Sequence, residues 1–177
     1  MKKKTLALVL ALTLLVAGVV GGTLAWLTDR TAEVKNTFTV GDINIGLTET
    51  TADYKMVPGN TIAKDPTVTV KANSEACWLF VKVTESTDLK DFITYAIAEG
   101  WTALPGVDGV YYREVPASAA DQTFSVLADD AVTVKSDVTR TMLETAKTDA
   151  PTLTFQAYAI QRDHFATADA AWAEVSK

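Results

Sequence analysis

Apolar and polar side chains alternate along most of the chain beyond residue 42, which is the pattern of β-strands with one buried face. Val, Ile, Thr and aromatic residues, which favour strands, fill many of these positions. The alternating apolar positions are Ile43, Ile45 and Leu47; Val68 and Val70; Leu79, Val81 and Val83; Ile93, Tyr95 and Ile97; Phe124 and Val126; Val132 and Val134; and Leu153, Phe155, Ala157 and Ala159. A further strand is indicated by Val110, Tyr111, Tyr112 and Val115. The pattern predicts an all-β fold.

Turn-forming residues separate several of these runs. Residues 58–60 (PGN) predict a turn, because Pro presets φ and Gly supplies a positive φ. Residues 72–75 (ANSE) form a second break, and residues 105–109 (PGVDG) predict a hairpin. About eight short strands with this spacing predict an antiparallel β-sandwich of the jelly-roll type.

Three stretches depart from the alternation and allow short helices. Residues 86–92 allow one helical turn, and residues 136–147 allow either a short helix or a loop. Residues 166–175 predict a short C-terminal helix, because the stretch is rich in Ala, the best helix former. Its apolar residues share one face: Ala168, Ala171, Trp172 and Val175.

The start of the chain has the features of an export signal. Residues 2–4 (KKK) precede an uncharged apolar stretch that ends near residue 20. Thr23 and Ala25 place small side chains at positions −3 and −1 before Trp26, which predicts cleavage after Ala25. An uncleaved membrane anchor is the alternative, since about 20 apolar residues suffice to cross a bilayer.

Cleavage there divides the chain into a signal peptide, residues 1–25, and one domain, residues 26–177. The working protein is then secreted, in the extracellular matrix or at the cell surface. A signal peptidase is a partner during export, and the membrane is a partner only through the uncleaved signal. Without its first 25 residues the chain keeps 13 basic and 22 acidic residues, a net charge of −9. That balance argues against a nucleic-acid partner, which requires clustered Lys and Arg.

Catalytic and metal-binding motifs are missing from the sequence. His164 is the only histidine, so the HExxH zinc helix cannot occur, and neither GxSxG nor GxxxxGK is present. Asp129-Asp130 lacks the spacing of a calcium loop and is interpreted as a solvated turn. We therefore expect no enzyme, no catalytic residue, no metal and no cofactor.

Cys77 and the aromatic residues have structural interpretations that compete with functional ones. Cys77 is the only cysteine, which excludes an internal disulfide; a buried side chain is favoured over an intermolecular disulfide or a catalytic thiolate. The aromatic residues fit a packed core better than a carbohydrate groove. They are Trp78, Phe80, Trp101, Tyr111 and Tyr112.

The segment that follows the signal predicts a strand offered to another chain. Residues 26–40 form an extended, partly apolar tail that joins the domain with almost no spacer. An open sheet edge accepts such a strand, and head-to-tail addition produces filaments. The residues expected to make this donor segment are Trp26, Leu27, Val34, Phe38 and Val40.

Five short motifs, in this order, resemble the TasA/camelysin family of secreted proteins from Gram-positive bacteria. They are residues 21–29 (GGTLAWLTD), 36–45 (NTFTVGDINI), 57–60 (VPGN), 73–83 (NSEACWLFVKV) and 156–161 (QAYAIQ). The resemblance implies processing by a SipW-type signal peptidase, a jelly-roll fold and assembly into biofilm-matrix fibres. In such fibres the N-terminal strand of one subunit completes the sheet of the next, so the partners are copies of this chain or a related matrix subunit.

The chain departs from the family pattern in two places. Trp26-Leu27 replaces the more usual Ala-Phe or Phe, and His164 stands where a glycine is frequent. The chain is also smaller than the larger fibre-formers, which fits an accessory subunit. Two alternatives remain: a monomeric binding module for cell-wall glycan or a host surface, and a camelysin-like secreted metalloprotease, for which the sequence offers no conventional zinc ligands.

Overall fold

The computed structural model describes residues 42–51 and 54–177, and within them the chain forms ten strands and three short α-helices. The signal peptide, residues 1–25, and the donor segment, residues 26–40, lie outside the described residues. The strands are β1 (Ile45–Thr48), β2 (Thr61–Ala63), β3 (Thr67–Val70), β4 (Cys77–Glu85), β5 (Ile93–Thr94), β6 (Thr102–Ala103), β7 (Val110–Val115), β8 (Gln122–Ser125), β9 (Ala131–Val134) and β10 (Leu153–Gln161). The helices are α1 (Leu89–Phe92), α2 (Arg140–Ala146) and α3 (Ala168–Val175).

The strands make three antiparallel sheets, which confirms the all-β prediction. The largest has the order β10-β4-β7-β6, the second β1-β3-β8 and the third β2-β9-β5. Strands β4 and β10 pair over nine residues, from Cys77 opposite Gln161 to Glu85 opposite Leu153, without a break in register. This pair is the longest in the described part of the chain.

Strand β4 is buried on both faces along its first five residues, Cys77–Val81. The side chains of Cys77, Leu79, Val81 and Val83 face the β1-β3-β8 sheet, where they pack with Val68, Val70, Val126 and Trp101. The indole Nε1 of Trp101 donates to the Ser125 carbonyl at 2.9 Å, so its polar atom is satisfied at the rim of this core. The two sheets therefore enclose one apolar layer in a sandwich-like arrangement.

The opposite face of β4 is covered by helix α3. Trp78 and Phe80 pack with Ala168 and Ala171 of the helix, and the Phe80 ring lies 5.3 Å from the Trp172 ring. Thr167 caps the helix by accepting a hydrogen bond from the Ala170 N–H at 3.3 Å. The predicted C-terminal helix and its apolar face are confirmed, although the helix begins at residue 168.

A third apolar cluster lies beneath the β2-β9-β5 sheet. Its buried members come from helices α1 and α2, from strands β5 and β9, and from the segments that adjoin them: Leu89, Phe92, Ile93, Leu127, Val132, Val134, Val138 and Ala146. Thr139 caps α2 by accepting from the Met142 N–H at 3.3 Å. Both ambiguous stretches therefore contain a short helix that closes this cluster.

The predicted hairpin at residues 105–109 joins β6 to β7. It depends on Gly109, whose φ is +72° and whose hydrogen lies against the Val83 carbonyl, so that a Cβ at this position would collide with that oxygen. The Val83 N–H donates to the Gly109 carbonyl at 2.7 Å. The turn thus fixes the start of β7 against β4.

Sequence patterns missed two strands and overestimated a third. Strands β2 and β6 span three and two residues, too few for an alternation to be seen. The run predicted from Ile93 to Ile97 forms a strand only at Ile93–Thr94, and Ile97 makes an isolated bridge with Leu127. The aromatic residues belong to the core as predicted, with Trp78, Phe80 and Trp101 buried and Tyr111 and Tyr112 packed at its margins.

Packing of α3 onto β4 predicts that the same substitution at two adjacent alanines will change the free energy of unfolding by different amounts. Ala171 is fully buried, whereas Ala170 is exposed on the same helix. Ala171→Leu should lower the free energy of unfolding by about 1–3 kcal/mol, because it overfills a packed interface. Ala170→Leu should change it by less than about 0.5 kcal/mol. Urea denaturation of residues 26–177 measures both, and equal effects would contradict the described docking of α3.

Burial of Cys77 predicts an unreactive thiol. Its side chain is fully buried, and that burial raises the pKa of the thiol to about 11. Since the thiolate is the nucleophile, iodoacetamide at pH 8 should leave Cys77 unmodified in the native protein and alkylate it in urea. Mass spectrometry of the two samples checks this. Rapid labelling under native conditions would show that the residue is accessible.

Candidate assembly edge

The outer side of strand β10 is an unpaired sheet edge. In the largest sheet β10 pairs with β4 alone, and no strand among residues 42–51 and 54–177 is hydrogen-bonded to its other side, although β1 of the β1-β3-β8 sheet lies close to it. The other outer strands are shorter, between two and four residues, whereas β10 has nine. Among these edges, β10 therefore offers a donated strand the largest number of residues to pair with.

The direction of the backbone groups along β10 follows from the hydrogen bonds at its two ends. The Ser86 N–H donates to the Thr152 carbonyl at 2.9 Å, and the Arg162 N–H donates to the Ala76 carbonyl at 2.9 Å. Residues 152 and 162 thus direct their polar backbone groups toward β4. Because the direction alternates along a strand and the register is unbroken, the odd-numbered residues direct theirs outward. The outward residues are Leu153, Phe155, Ala157, Ala159 and Gln161.

Nothing in the sequence of β10 protects this edge. Residues 153–161 (LTFQAYAIQ) contain no charged residue, no Pro and no Gly. Natural proteins normally protect an edge strand with Lys, Pro, a bulge or short length. Phe155, Ala157 and Ala159 direct their side chains toward the core shared with the β1-β3-β8 sheet, so a strand added here would extend that core. The edge has the properties of a pairing surface.

A cleft opens beside the first residues of β10, where β1 ends. Its volume is about 300 Å³ and its lining is Leu47, Thr48, Glu49, Pro66, Leu153, Thr154 and Phe155. Leu47 pairs with Val68 and follows Ile45 on the inner face of its sheet, yet 36% of Leu47 is exposed. An inward-facing side chain with that exposure marks a place where the sandwich is left open.

Segment 49–51 is held against the start of β3 by polar contacts that wall this cleft. Lys64 is buried, and its Nζ lies 2.6 Å from a Glu49 carboxylate oxygen and 5.4 Å from the centre of the Phe155 ring. The Thr50 N–H donates to the Asp65 carboxylate at 3.0 Å, and the Thr50 hydroxyl donates to its other oxygen. Sequence patterns did not single out Lys64, because one lysine between two short strands has no distinguishing signal.

The chain enters the sandwich at the end opposite the cleft. The Asp42 carbonyl accepts from the Glu75 N–H at 3.1 Å, and β4 starts two residues later at Cys77, opposite Gln161. We call this end of the sandwich the tail end. The opposite end, where Thr48 and Leu153 flank the cleft, is called the cleft end. Nine strand residues, about 26 Å from first to last at 3.3 Å per residue, separate them.

Several predicted residues lie outside the described part of the chain. They are the cleavage residues Thr23, Ala25 and Trp26 and the donor residues Leu27, Val34, Phe38 and Val40. Among the described residues, His164 is exposed in a short 3-10 turn, and no three His, Cys, Asp or Glu side chains form a group suited to a metal ion. No helix in residues 42–51 and 54–177 is long and apolar enough to cross a membrane.

Comparison with known proteins identified no relative. No family model matches the sequence, no characterised protein matches it, and no solved structure matches the fold.

The two hydrogen bonds from Thr50 to Asp65, which we call the clamp, predict a stability that depends on pH. The Thr50 hydroxyl, followed by the Thr50 N–H, lowers the pKa of Asp65 below its usual range. Because the folded pKa is lowered, the ionised Asp65 carboxylate stabilises the fold. That stabilisation is present above the unfolded pKa of Asp65 and is lost as the pH falls through the lower folded pKa. Thr50→Val should raise the folded pKa of Asp65, measured by NMR titration.

Asp121 is the internal control for this titration. Its pKa is lowered by the Ala72 N–H and by Lys71, neither of which contacts Thr50. It should titrate unchanged in Thr50→Val. Parallel shifts at both carboxylates would mean that the substitution acts on the whole fold rather than on the clamp.

Proposed function

We propose that this chain is a secreted structural subunit of extracellular matrix fibres. Residues 26–40, freed by cleavage of the signal peptide, are donated to the β10 edge of the next subunit. That subunit is another copy or a related matrix protein. The role is structural rather than enzymatic, and the sandwich is of the jelly-roll type. The observation that carries the proposal is the outer edge of β10. It is nine residues long, contains no charged residue and no Pro, and is not hydrogen-bonded to any strand in the described part of the chain.

The donor sequence fits an edge whose inner face continues a core. In residues 33–40 (EVKNTFTV), the even positions 34, 38 and 40 are Val, Phe and Val, and position 36 is Asn. The odd positions, Glu, Lys, Thr and Thr, are all polar. Such alternation suits a strand that buries one face and exposes the other. Placed beside β10, its apolar positions would continue the core that Phe155, Ala157 and Ala159 border.

The geometry of the domain favours filaments over closed dimers. The donor segment precedes Asp42 at the tail end, whereas the cleft lies at the opposite end. Each subunit thus gives a strand at one end and has an open corner for one at the other. A head-to-tail contact of this kind does not close unless the subunits form a ring. Before cleavage the signal would keep the donor segment at the membrane, which would delay assembly until cleavage frees it.

Blocking one backbone donor on the edge should stop assembly while leaving the domain folded. The Ala157 N–H points outward, so Ala157→Pro removes no bond to β4 but places the proline ring where a donated strand would pair. We expect fibres from residues 26–177, and monomers from Ala157→Pro, by electron microscopy and light scattering. The melting temperature should remain within a few degrees, about that of an edge substitution.

Thr123→Pro is the matched control. Thr123 lies on the outer edge of β8, and its N–H also points away from its partner, since the Val126 N–H donates to the Pro66 carbonyl on the β3 side. This variant should form fibres as the parent does. Loss of assembly in both variants would assign the effect to proline itself and contradict the β10 edge as acceptor.

Mixing two defective chains tests donation directly. Residues 39–177 lack most of the donor segment and keep the edge, whereas Ala157→Pro keeps the donor segment and lacks the edge. Together they should form a 1:1 complex of twice the monomer mass that grows no further. Fibres from residues 39–177 alone would contradict donation of residues 26–38.

A further inference from the structure

We infer that the donated strand runs antiparallel to β10 and that Phe38 of one copy fills the cleft beside Leu47 of the next. This inference rests on the proposed strand donation and adds its direction, its register and its anchoring residue. The two ends of the domain, the connection at Gly41 and the lining of the cleft indicate all three.

Direction follows from the two ends of the domain. The donor segment leaves its own domain at the tail end, and in a head-to-tail stack it meets the next copy at the cleft end. Traced from residue 40 back to residue 34, it then runs from Leu153 toward Gln161 of that copy. Because β10 runs from Leu153 to Gln161, the donated strand and β10 have opposite directions. An antiparallel pair results.

Register follows from the short connection to the donor's own domain. Only Gly41 separates Val40 from Asp42, which is held by the Glu75 N–H. Val40 is therefore placed at the first outward position of β10, opposite Leu153. Phe38 then stands opposite Phe155. The next inward-facing donor positions, 36 and 34, stand opposite Ala157 and Ala159.

The cleft provides what this register requires at Phe38. It lies against Phe155 and Leu153, has a volume of about 300 Å³ and contains the exposed side chain of Leu47. Aromatic side chains that fill such pockets carry much of the binding energy of interfaces. Phe38 is the only aromatic residue in segment 33–40. Its ring would cover Leu47 and close the open corner of the sandwich.

A charge placed in the cleft tests the anchor. Leu47→Glu should raise the concentration at which residues 26–177 assemble at least tenfold, because Phe38 would then face a carboxylate. Val57→Glu is the matched control: Val57 is 49% exposed and does not line the cleft. It should assemble as the parent does. Equal effects of the two substitutions would overturn the assignment of the cleft.

Paired cysteines test direction and register. In an antiparallel pair the residues that exchange both hydrogen bonds have Cα atoms about 5.5 Å apart, which suits a disulfide. Chains carrying Asn36→Cys with Ala157→Cys, or Val34→Cys with Ala159→Cys, should give a ladder of covalent oligomers on oxidation. Val40→Cys with Gln161→Cys is the control for a parallel strand. A parallel strand that places residue 36 opposite residue 157 also places residue 40 opposite residue 161, whereas the antiparallel register keeps residues 40 and 161 at opposite ends of β10.

The outcomes separate this inference from the proposed function. Ladders from the first two pairs and none from the control support the antiparallel register. Fibres that form without these ladders, or with the control ladder, overturn the register and leave strand donation standing. A crosslinked monomer would show that the donor segment occupies its own β10 edge, which overturns the inference. A parent chain that forms no fibres would contradict the proposed function itself.

Discussion

The fold depends on the burial of both faces of β4 along Cys77–Val81. A strand in that position needs two covers, and this chain supplies the β1-β3-β8 sheet on one side and helix α3 on the other. Strand β3 ends seven residues before β4, but β8 and helix α3 follow much later in the chain, so the strand is fully covered only when the C-terminal part of the domain has packed onto it. Without an internal disulfide, this packing must hold the domain. The two-sided apolar layer takes the role that bridges have in many secreted domains.

The sequence predicted those features whose signal is local. Strands β4, β7 and β10 have enough residues for an apolar pattern to be read, and α3 combines Ala-rich composition with one apolar face. The two- and three-residue strands β2 and β6 carry no such pattern and depend on their neighbours. The strand predicted from Ile93 to Ile97 failed for a different reason: its alternation is clear, but only Ile93–Thr94 joins the sheet, and Ile97 makes an isolated bridge with Leu127.

The candidate assembly edge was only half predictable. The proposed donor segment can be read from residues 26–40, since its pattern lies in one alternating stretch. The acceptor cannot, because whether β10 is an inner or an outer strand is decided by the pairing of the whole chain. Leu47 illustrates the difference: its position in an alternating run predicts burial, whereas the sandwich leaves it exposed. The absence of charge in residues 153–161 was the one local signal.

The length of β10 has a mechanical consequence for the proposed fibre. In a fibre built by antiparallel donation, the hydrogen bonds between the donated strand and β10 lie perpendicular to the fibre axis. A pull along the fibre then loads these bonds together in shear, instead of opening them one after another as in a zipper. The β4–β10 ladder, nine residues long and unbroken, would receive the same load and pass it to the core. Tensile strength would therefore be set by strand length, and not by any covalent link between subunits.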